Sequence, residues 1–585
     1  MKGANKMAKK LCLMCVLLTL LAVNLSAQQF QTPAERESYQ QGGTKYELLM
    51  EFIYELESKT ELMNVQKITE TLMGRDVVLC ILSNPPVFSP ADIDKTGKPV
   101  VLIANNVHGG EVAGKDASLE IMRDLVMGDL KPLLDKVVVL NIPTLNPDGA
   151  EVQRRTNEQR FDMNRDYIKL ESQEIFGLVS KVINKWHPDI HIDTHHGGAD
   201  PYVLTFQTCM NPAGDEELIR LGNEEILPRV RKALQAEDYD GFWYSGGRWV
   251  DGEAQWRPTS VELRKQHVYA TMANMVGFLF ETPRNANRVT NNGTKVVPIA
   301  QEERYKHQVR GQYIGQREMI RFAAERAHDL QRVISAAKLR AIERGNNDSD
   351  NDQIPLTYER VKKFDEEFWI RKQGDRTGPY EKIKGGIYTK FNPTKTATRP
   401  WGYLLPPELA LVLPLLFDHE ITVKRLTDST EVEVEAYYAK EISHTQYYQG
   451  HYLKRLKTEK QTETIKLPPG SFFIPAGQQK SNFICYIMEP ETDDNLITWG
   501  YLDNFLSVTT GRLEQLIEQE EQFKEQMKDM SQEEKDRMQQ RLKRQRDRIT
   551  NQPIPIYRLM KKTPLKGVLV EPFNEYEKNR YIKYR

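Results

Sequence analysis

Four short apolar runs, Val100 to Ile103, Val137 to Ile142, Asp189 to Ile192 and Val276 to Phe280, constrain the first half of this chain more than any other feature. Each has the length of a buried strand and is too short for a helix. Helical patterns such as Ala117 to Met127 and Glu174 to Trp186 fall between them. Strands alternating with helices predict an α/β fold, a mixed, mostly parallel twisted sheet with helices on both faces. In such sheets ligands collect beyond the carboxyl ends of the strands, so the residues after each run are where chemistry is expected. Upstream, Thr44-x-x-Glu47 reads as a capping box ahead of a helix from Leu48 to Leu56. A β-rich stretch, Val65 to Ser83, follows and is interrupted by Gly74-Arg75-Asp76.

At 585 residues the chain is too long for one core. Its 81 Lys and Arg against 82 Asp and Glu give a net charge of -1, which offers no footprint for nucleic acid. Lys2, Lys6, Lys9 and Lys10 precede the apolar run Leu11 to Val23 and the small-residue stretch to Ala27, the layout of a signal peptide over 1–27. The run falls short of the roughly 20 residues that span a bilayer, so export to the periplasm or outside the cell is expected, with no stable membrane anchor. Cys12 and Cys15 lie in that segment. Cys80, Cys209 and Cys485 remain, permitting at most one disulfide, and any metal must be held by His and carboxylates.

The expected catalytic domain covers 28–345, followed by an apolar-free linker over 346–354. A β-rich or α+β domain over 355–510 is predicted from Trp401 to Leu416, Ile421 to Tyr438 and Ser471 to Ile487. A charged helix or helical hairpin is expected over 511–550, broken at the capping box Ser531-x-x-Glu534, and a tail over 551–585. Trp401-Gly402-Tyr403-Leu404 and Trp499-Gly500-Tyr501-Leu502 echo each other but are too short to define a repeat.

The first run leads into Asn105-Asn106-Val107-His108-Gly109-Gly110-Glu111, where a His and a Glu three residues apart on a strand-to-helix turn can face one cation. Alone this is weak: among 11 His and 82 acidic residues, about one or two such pairs arise by chance. The third run ends in Asp193-Thr194-His195-His196, supplying a His where a third ligand is needed. Two His and one Glu with an open position make a catalytic zinc set. The fourth ends in Glu281, either a cap for the next turn or a general base. Between them lie the turn Asn146-Pro147-Asp148-Gly149 and a charged stretch. There Arg155 and Arg165 are suited to an anionic substrate group or a developing oxyanion, with Asn164 as a neutral donor.

In this order, His108-x-x-Glu111, Asn-Pro-Asp-Gly, Arg155, Asp162-x-Asn164-Arg165, His195 and Glu281 resemble the zinc carboxypeptidases, the carboxypeptidase A-like metallopeptidases, over residues 45 to 345. The compact secreted bacterial members are the nearest in layout. The resemblance implies one Zn²⁺ held by His108, Glu111 and His195, the last chosen over His196 by the pattern Asp193-Thr194-His195. It further implies Glu281 as general base and acid, Arg155 polarising the scissile carbonyl, and Asn164 with Arg165 gripping the substrate's terminal carboxylate. Asp162 would orient His108. A tyrosine that closes over substrate is expected at Tyr269, with Tyr244 and His267 as rivals. Side-chain preference is expected to be set between Gly246 and Gln266, where Arg248, Asp251 and Glu262 are candidates.

The function so implied is a secreted zinc metallocarboxypeptidase acting on peptides with a free C-terminus. Two other readings stand beside it. One is a zinc amidase acting on peptidoglycan peptides or acylated amino acids, and the other is a non-catalytic polymer-binding protein.

Overall fold

The structure is a computed structural model describing residues 30–258, 260–526, 530–550 and 552–571. The expected signal segment, with Cys12 and Cys15, lies outside the described residues, as does the end of the expected tail, 572–585. The described residues form two compact units: those up to 337 together with 360–391, and 338–359 together with those from 392 onward.

In the first unit, helix α1 (Tyr46–Ser58) buries Leu49, Phe52, Ile53 and Leu56 at helical spacing, each contributing about 2 kcal/mol of apolar transfer. The expected capping box does not form. The N-cap is Lys45, and the Thr44 backbone N–H instead donates to the Asp116 carboxylate at 3.2 Å. The strands are β1 (Met63–Glu70), β2 (Asp76–Leu82), β3 (Val100–Asn105), β4 (Val138–Ile142), β5 (Ile190–His196), β6 (Leu204–Thr208), β7 (Gly241–Trp243), β8 (Gly247–Val250), β9 (Glu253–Trp256) and β10 (Val276–Thr282). Eight of them form a mixed sheet in the order β1-β2-β4-β3-β5-β10-β6-β7. Its centre is parallel: β3 pairs with β4 and β5, and β5 with β10. All residues of β3, β4 and β10 are buried, which is why these strands read as unbroken apolar runs.

Helix α2 (Ala113–Val126) is buried along nearly its whole length and starts directly below the His108 loop. Two later helices are α3 (Gln266–Met272) and α4 (Arg304–Glu325). The buried Gln312 and Gln316 of α4 donate to the carbonyl of His195 (3.1 Å) and the side-chain oxygen of Asn105 (3.3 Å), tying α4 to the ends of β5 and β3. A second, four-stranded sheet joins β8 and β9 to a hairpin of β11 (Phe364–Arg371) and β12 (Tyr380–Ile387), with β12 parallel to β9. The sequence assigned this hairpin to the C-terminal part. It belongs instead with the first unit, because Phe368, Ile370 and Ile387 close an aromatic core with Tyr202, Phe242 and Trp256.

The second unit centres on a seven-stranded sheet that includes the long hairpin Thr430–Tyr448 and His451–Leu467. Buried Arg558 donates to Glu489 at 2.9 Å, and Tyr403 donates to the same carboxylate at 2.7 Å. The charged segment is two helices, Asp503–Gln526 and Gln532–Thr550, bridged by an Arg546 to Glu520 ion pair. The Ser531 capping box is present, its hydroxyl and backbone N–H donating to the Glu534 carboxylate at 2.7 and 2.9 Å. The two Trp-Gly-Tyr-Leu segments differ: the first enters a strand at Gly402 and the second forms a turn. Cys80, Cys209 and Cys485 are free and buried. Among the described residues no helix is long and apolar enough to cross a membrane.

Candidate metal centre

The loop after β3 is held by Asn106, a non-glycine residue at positive φ (59°). Its amide nitrogen lies 2.8, 3.1 and 3.1 Å from the carbonyl oxygens of His108, Gly109 and Glu111, and its own oxygen accepts from Thr144 at 2.9 Å. The Asn-Pro-Asp-Gly turn begins a helix, Pro147–Glu151, capped by Asn146, and packs directly on this loop. A Cβ on Gly109 would overlap the backbone of Gly149 and Ala150, so both glycines serve a close backbone approach. Asp148 fixes the turn to the β1–β2 connection through Arg75 (2.8 Å) and Thr71 (3.0 Å).

From β3 and β5 this geometry brings three ligand atoms together. His108 Nδ1 and Glu111 Oε2 are 3.0 Å apart, His195 Nδ1 and Glu111 Oε2 2.9 Å, and the two Nδ1 atoms 3.0 Å. Behind them, His108 Nε2 faces Asp162 Oδ1 at 2.8 Å and His195 Nε2 faces Asp193 Oδ2 at 2.6 Å. These partners place the ring proton of each neutral imidazole on Nε2, leaving two Nδ1 lone pairs and a carboxylate oxygen converging on one point. Acceptors so arranged repel one another unless a cation sits among them. The electrostatics agree. Burial favours neutral rings, yet Glu111 with Asp162 raises the pKa of His108, and Asp193 with Glu111 raises that of His195. Against the cost of its own burial, Glu111 is held well below the usual carboxylate range by the two rings. Two imidazoles and one carboxylate, backed by two further carboxylates, fit Zn²⁺. His196 is not part of this set; its Nε2 accepts the Ala113 N–H at 2.8 Å.

Glu281 stands in register opposite His195 across the β5–β10 pairing. Burial first, then Glu111 and Asp193, push its pKa up to about 7 against the opposing pull of His195 and His108. Its carboxylate lies against Gly197, where a Cβ would overlap Oε2. Arg155, with a side chain 49% exposed, donates to Glu111 Oε1 (2.9 Å) and to Asp162 Oδ2 (3.0 and 3.1 Å). Arg165 donates to the Asn164 carbonyl at 2.7 Å and lies 3.9 Å from Asp162.

Asn164 and Tyr269, both expected to meet substrate, are buried. Asn164 is buried and committed: its amide nitrogen donates to Asp193 Oδ2 at 3.0 Å and its oxygen accepts the Gln266 N–H at 3.0 Å. It braces the carboxylate behind His195, and its side chain is not presented to a substrate. Tyr269 is 0% exposed on α3, its ring 5.6 Å from that of Tyr167, and cannot close over a ligand. His267 is equally buried, beside Gln207. Tyr244 is only partly buried, and the Glu281 charge, more than burial or Glu111, raises its pKa while Arg165 and Arg155 oppose the shift. Asp193 entered the sequence reading only as a motif position, although the Asp-x-His spacing already places it beside His195. Of the three specificity candidates, Glu262 is paired with Lys265 (2.9 Å), Asp251 lies exposed in a turn, and Arg248 is exposed on β8.

Residues 49–188 match a family model described as zinc carboxypeptidase. Carboxypeptidase 2 of Trichophyton rubrum is 24% identical over 417 residues, covering 69% of this chain and 74% of that protein. Carboxypeptidase SOL1 of Arabidopsis thaliana is 30% identical over 128 residues, covering 19% of this chain and 25% of that protein. A solved metallo-carboxypeptidase from Burkholderia cenocepacia is 17% identical with a TM-score of 0.36, covering 48% of this chain and 69% of that one. The family-model match therefore lies across the His108 and Glu111 motif, and over that stretch and beyond it the chain is similar to proteins named as carboxypeptidases.

Proposed function

We propose that the protein is an exported metallocarboxypeptidase that hydrolyses the C-terminal peptide bond, with His108, Glu111 and His195 holding one zinc ion and Glu281 as general base and acid. The observation that carries this reading is the register of Glu281 opposite His195, which puts a buried carboxylate of raised pKa beside the convergent ligand set. Zinc bound there supplies a Lewis acid that acidifies water and polarises a carbonyl. Glu281 takes a proton from the attacking water and returns it to the leaving amine nitrogen. Arg155, half exposed beside Glu111, offers a guanidinium to the oxygen on which negative charge develops. Arg165 is the cation available for the substrate's terminal carboxylate, and Tyr244 supplies a hydroxyl near Glu281. Export rests on the N-terminal lysines and apolar run.

Because Asn164 is committed to Asp193, selectivity for a free C-terminus rests on Arg165. Zinc amidase activity on peptidoglycan peptides is therefore the second reading. Matched peptides with a free or amidated C-terminus separate the two. Cleavage of the free form alone supports the carboxypeptidase, and equal cleavage of both removes the exopeptidase claim.

A further inference from the structure

Beyond Glu281 the first unit opens into a cleft of about 1100 Å³, larger than a site for one small ligand. Its wall starts at His196 and Gly197, the latter against the Glu281 carboxylate, and continues through Thr282 and Pro283. The far side is the sheet of β8, β9, β11 and β12, including the turn between β11 and β12. Neither Arg155, Arg165 nor Tyr244 lines it. The cleft thus adjoins the strand ends that carry His195 and Glu281 without including the groups suited to a terminal carboxylate.

The lining is basic, and its arginines are without carboxylate partners among the described residues. Arg248, Arg284, Arg371, Lys372 and Arg376 face it, against Asp200 and Asp375. Among the described residues, none of the four arginines has a carboxylate within 4.0 Å, while Lys372 pairs with Glu381 at 3.1 Å. Of the two acids, Asp375 is occupied by backbone, accepting the N–H groups of Thr377 and Gly378 at 2.9 and 2.7 Å, while Asp200 keeps a buried Oδ1 with no hydrogen-bond partner among the described residues. The wall is preorganised. Arg371 lies 4.2 Å over the Tyr380 ring and donates to Gly378, and Trp249 donates to the Arg371 carbonyl at 2.8 Å, joining the two hairpins. Trp369, also in the lining, carries a buried indole N–H with no partner among the described residues.

We propose that this cleft holds the part of a peptide substrate upstream of the scissile bond and selects acidic side chains there. The inference rests on the carboxypeptidase reading for its substrate, but not for its chemistry. The hairpin β11–β12 supplies specificity at a distance from the cut, and charge complementarity adds to both encounter rate and affinity.

The test uses the full chain loaded with zinc and two peptides with the same last two residues, carrying either Glu or Gln at the preceding positions. At low salt kcat/KM is expected to favour the Glu peptide about tenfold, the sum of several exposed charge pairs, and to lose that preference near 1 M salt. Arg248→Glu and Arg376→Glu, both at exposed positions, are each expected to reduce or invert the preference. Equal turnover of both peptides, unaffected by salt and by either reversal, overturns the inference and leaves the carboxypeptidase reading standing. If neither peptide is cut, that reading fails, and the cleft is judged by fluorescence anisotropy of the labelled peptides. Tighter binding of the Glu peptide, weakened by either reversal, supports the acidic-peptide cleft; equal binding refutes it.

Discussion

Glu281 and His195 face each other across two parallel strands, so one backbone register fixes both a metal-ligand candidate and the carboxylate beside it. Neither residue sits on a flexible loop. The pairing runs without interruption from Val276 opposite Ile190 to Thr282 opposite His196, which holds the two side chains at a separation set by the sheet.

The carboxylates behind the histidines are expected to govern metal affinity. Asp162→Asn and Asp193→Asn each remove the charge that keeps an imidazole Nδ1 lone pair aimed inward. Each should weaken zinc binding by about 10- to 100-fold, measured by competition with a chelator. Unchanged affinity in both variants would show that the rings are oriented by packing alone.

Gly109 tests the close approach of two motifs. Gly109→Ala drives a methyl group into the backbone of Gly149 and Ala150 and should lower stability by about 1–3 kcal/mol with loss of zinc. Thermal unfolding with and without metal reads both effects. A variant with wild-type melting and zinc content would contradict the packing described.

Tyr244 and Tyr269 should separate cleanly in kinetics. Tyr244→Phe removes a hydroxyl close to Glu281 and is expected to lower kcat/KM by about 10-fold or more with little change in melting temperature. Tyr269→Phe alters a fully buried ring and should change stability while sparing kcat/KM. The reverse pattern would restore Tyr269 as the substrate-facing residue.

A pH effect on stability is expected from Glu120, far from the metal ligands. Burial first and the neighbouring Glu35 raise its pKa from 4.5 to about 8, while the Tyr39 hydroxyl donates to it at 2.9 Å. The folded state therefore keeps a proton that the unfolded chain releases above pH 4.5. The stabilisation is complete below that value and is lost as pH rises from about 4.5 to 8, at up to about 1.4 kcal/mol per pH unit. Glu120→Gln should flatten this part of the melting-temperature profile and be the more stable protein at pH 8. Parallel profiles for the two proteins would show that Glu120 is ionised when folded.

The strands that carry the site were legible because burial on both faces leaves unbroken apolar runs, and His108, Glu111, His195 and Glu281 stand at or just beyond their ends. What the sequence concealed depends on long-range contacts. Asn164 and Arg165 are adjacent in sequence, yet only the fold shows that one is spent on Asp193. Tyr244 and Tyr269 differ in nothing local that reports exposure. Hairpin β11–β12 carries charged residues such as Asp365, Glu366 and Glu367 within its first strand, and its parallel partner β9 lies more than a hundred residues earlier, so local pattern could not assign it to the first unit. Thr44 shows the same limit on a smaller scale, a capping signature overridden by a tertiary bond to Asp116.

The central claim is that Glu281 moves the proton beside a zinc ion held by His108, Glu111 and His195. The most direct measurement pairs metal content with turnover in Glu281→Gln, using a peptide with a free C-terminus. The account predicts one zinc per chain in both proteins and a fall in kcat of at least about 10³-fold in the variant. Wild-type turnover by a zinc-loaded Glu281→Gln protein would contradict it.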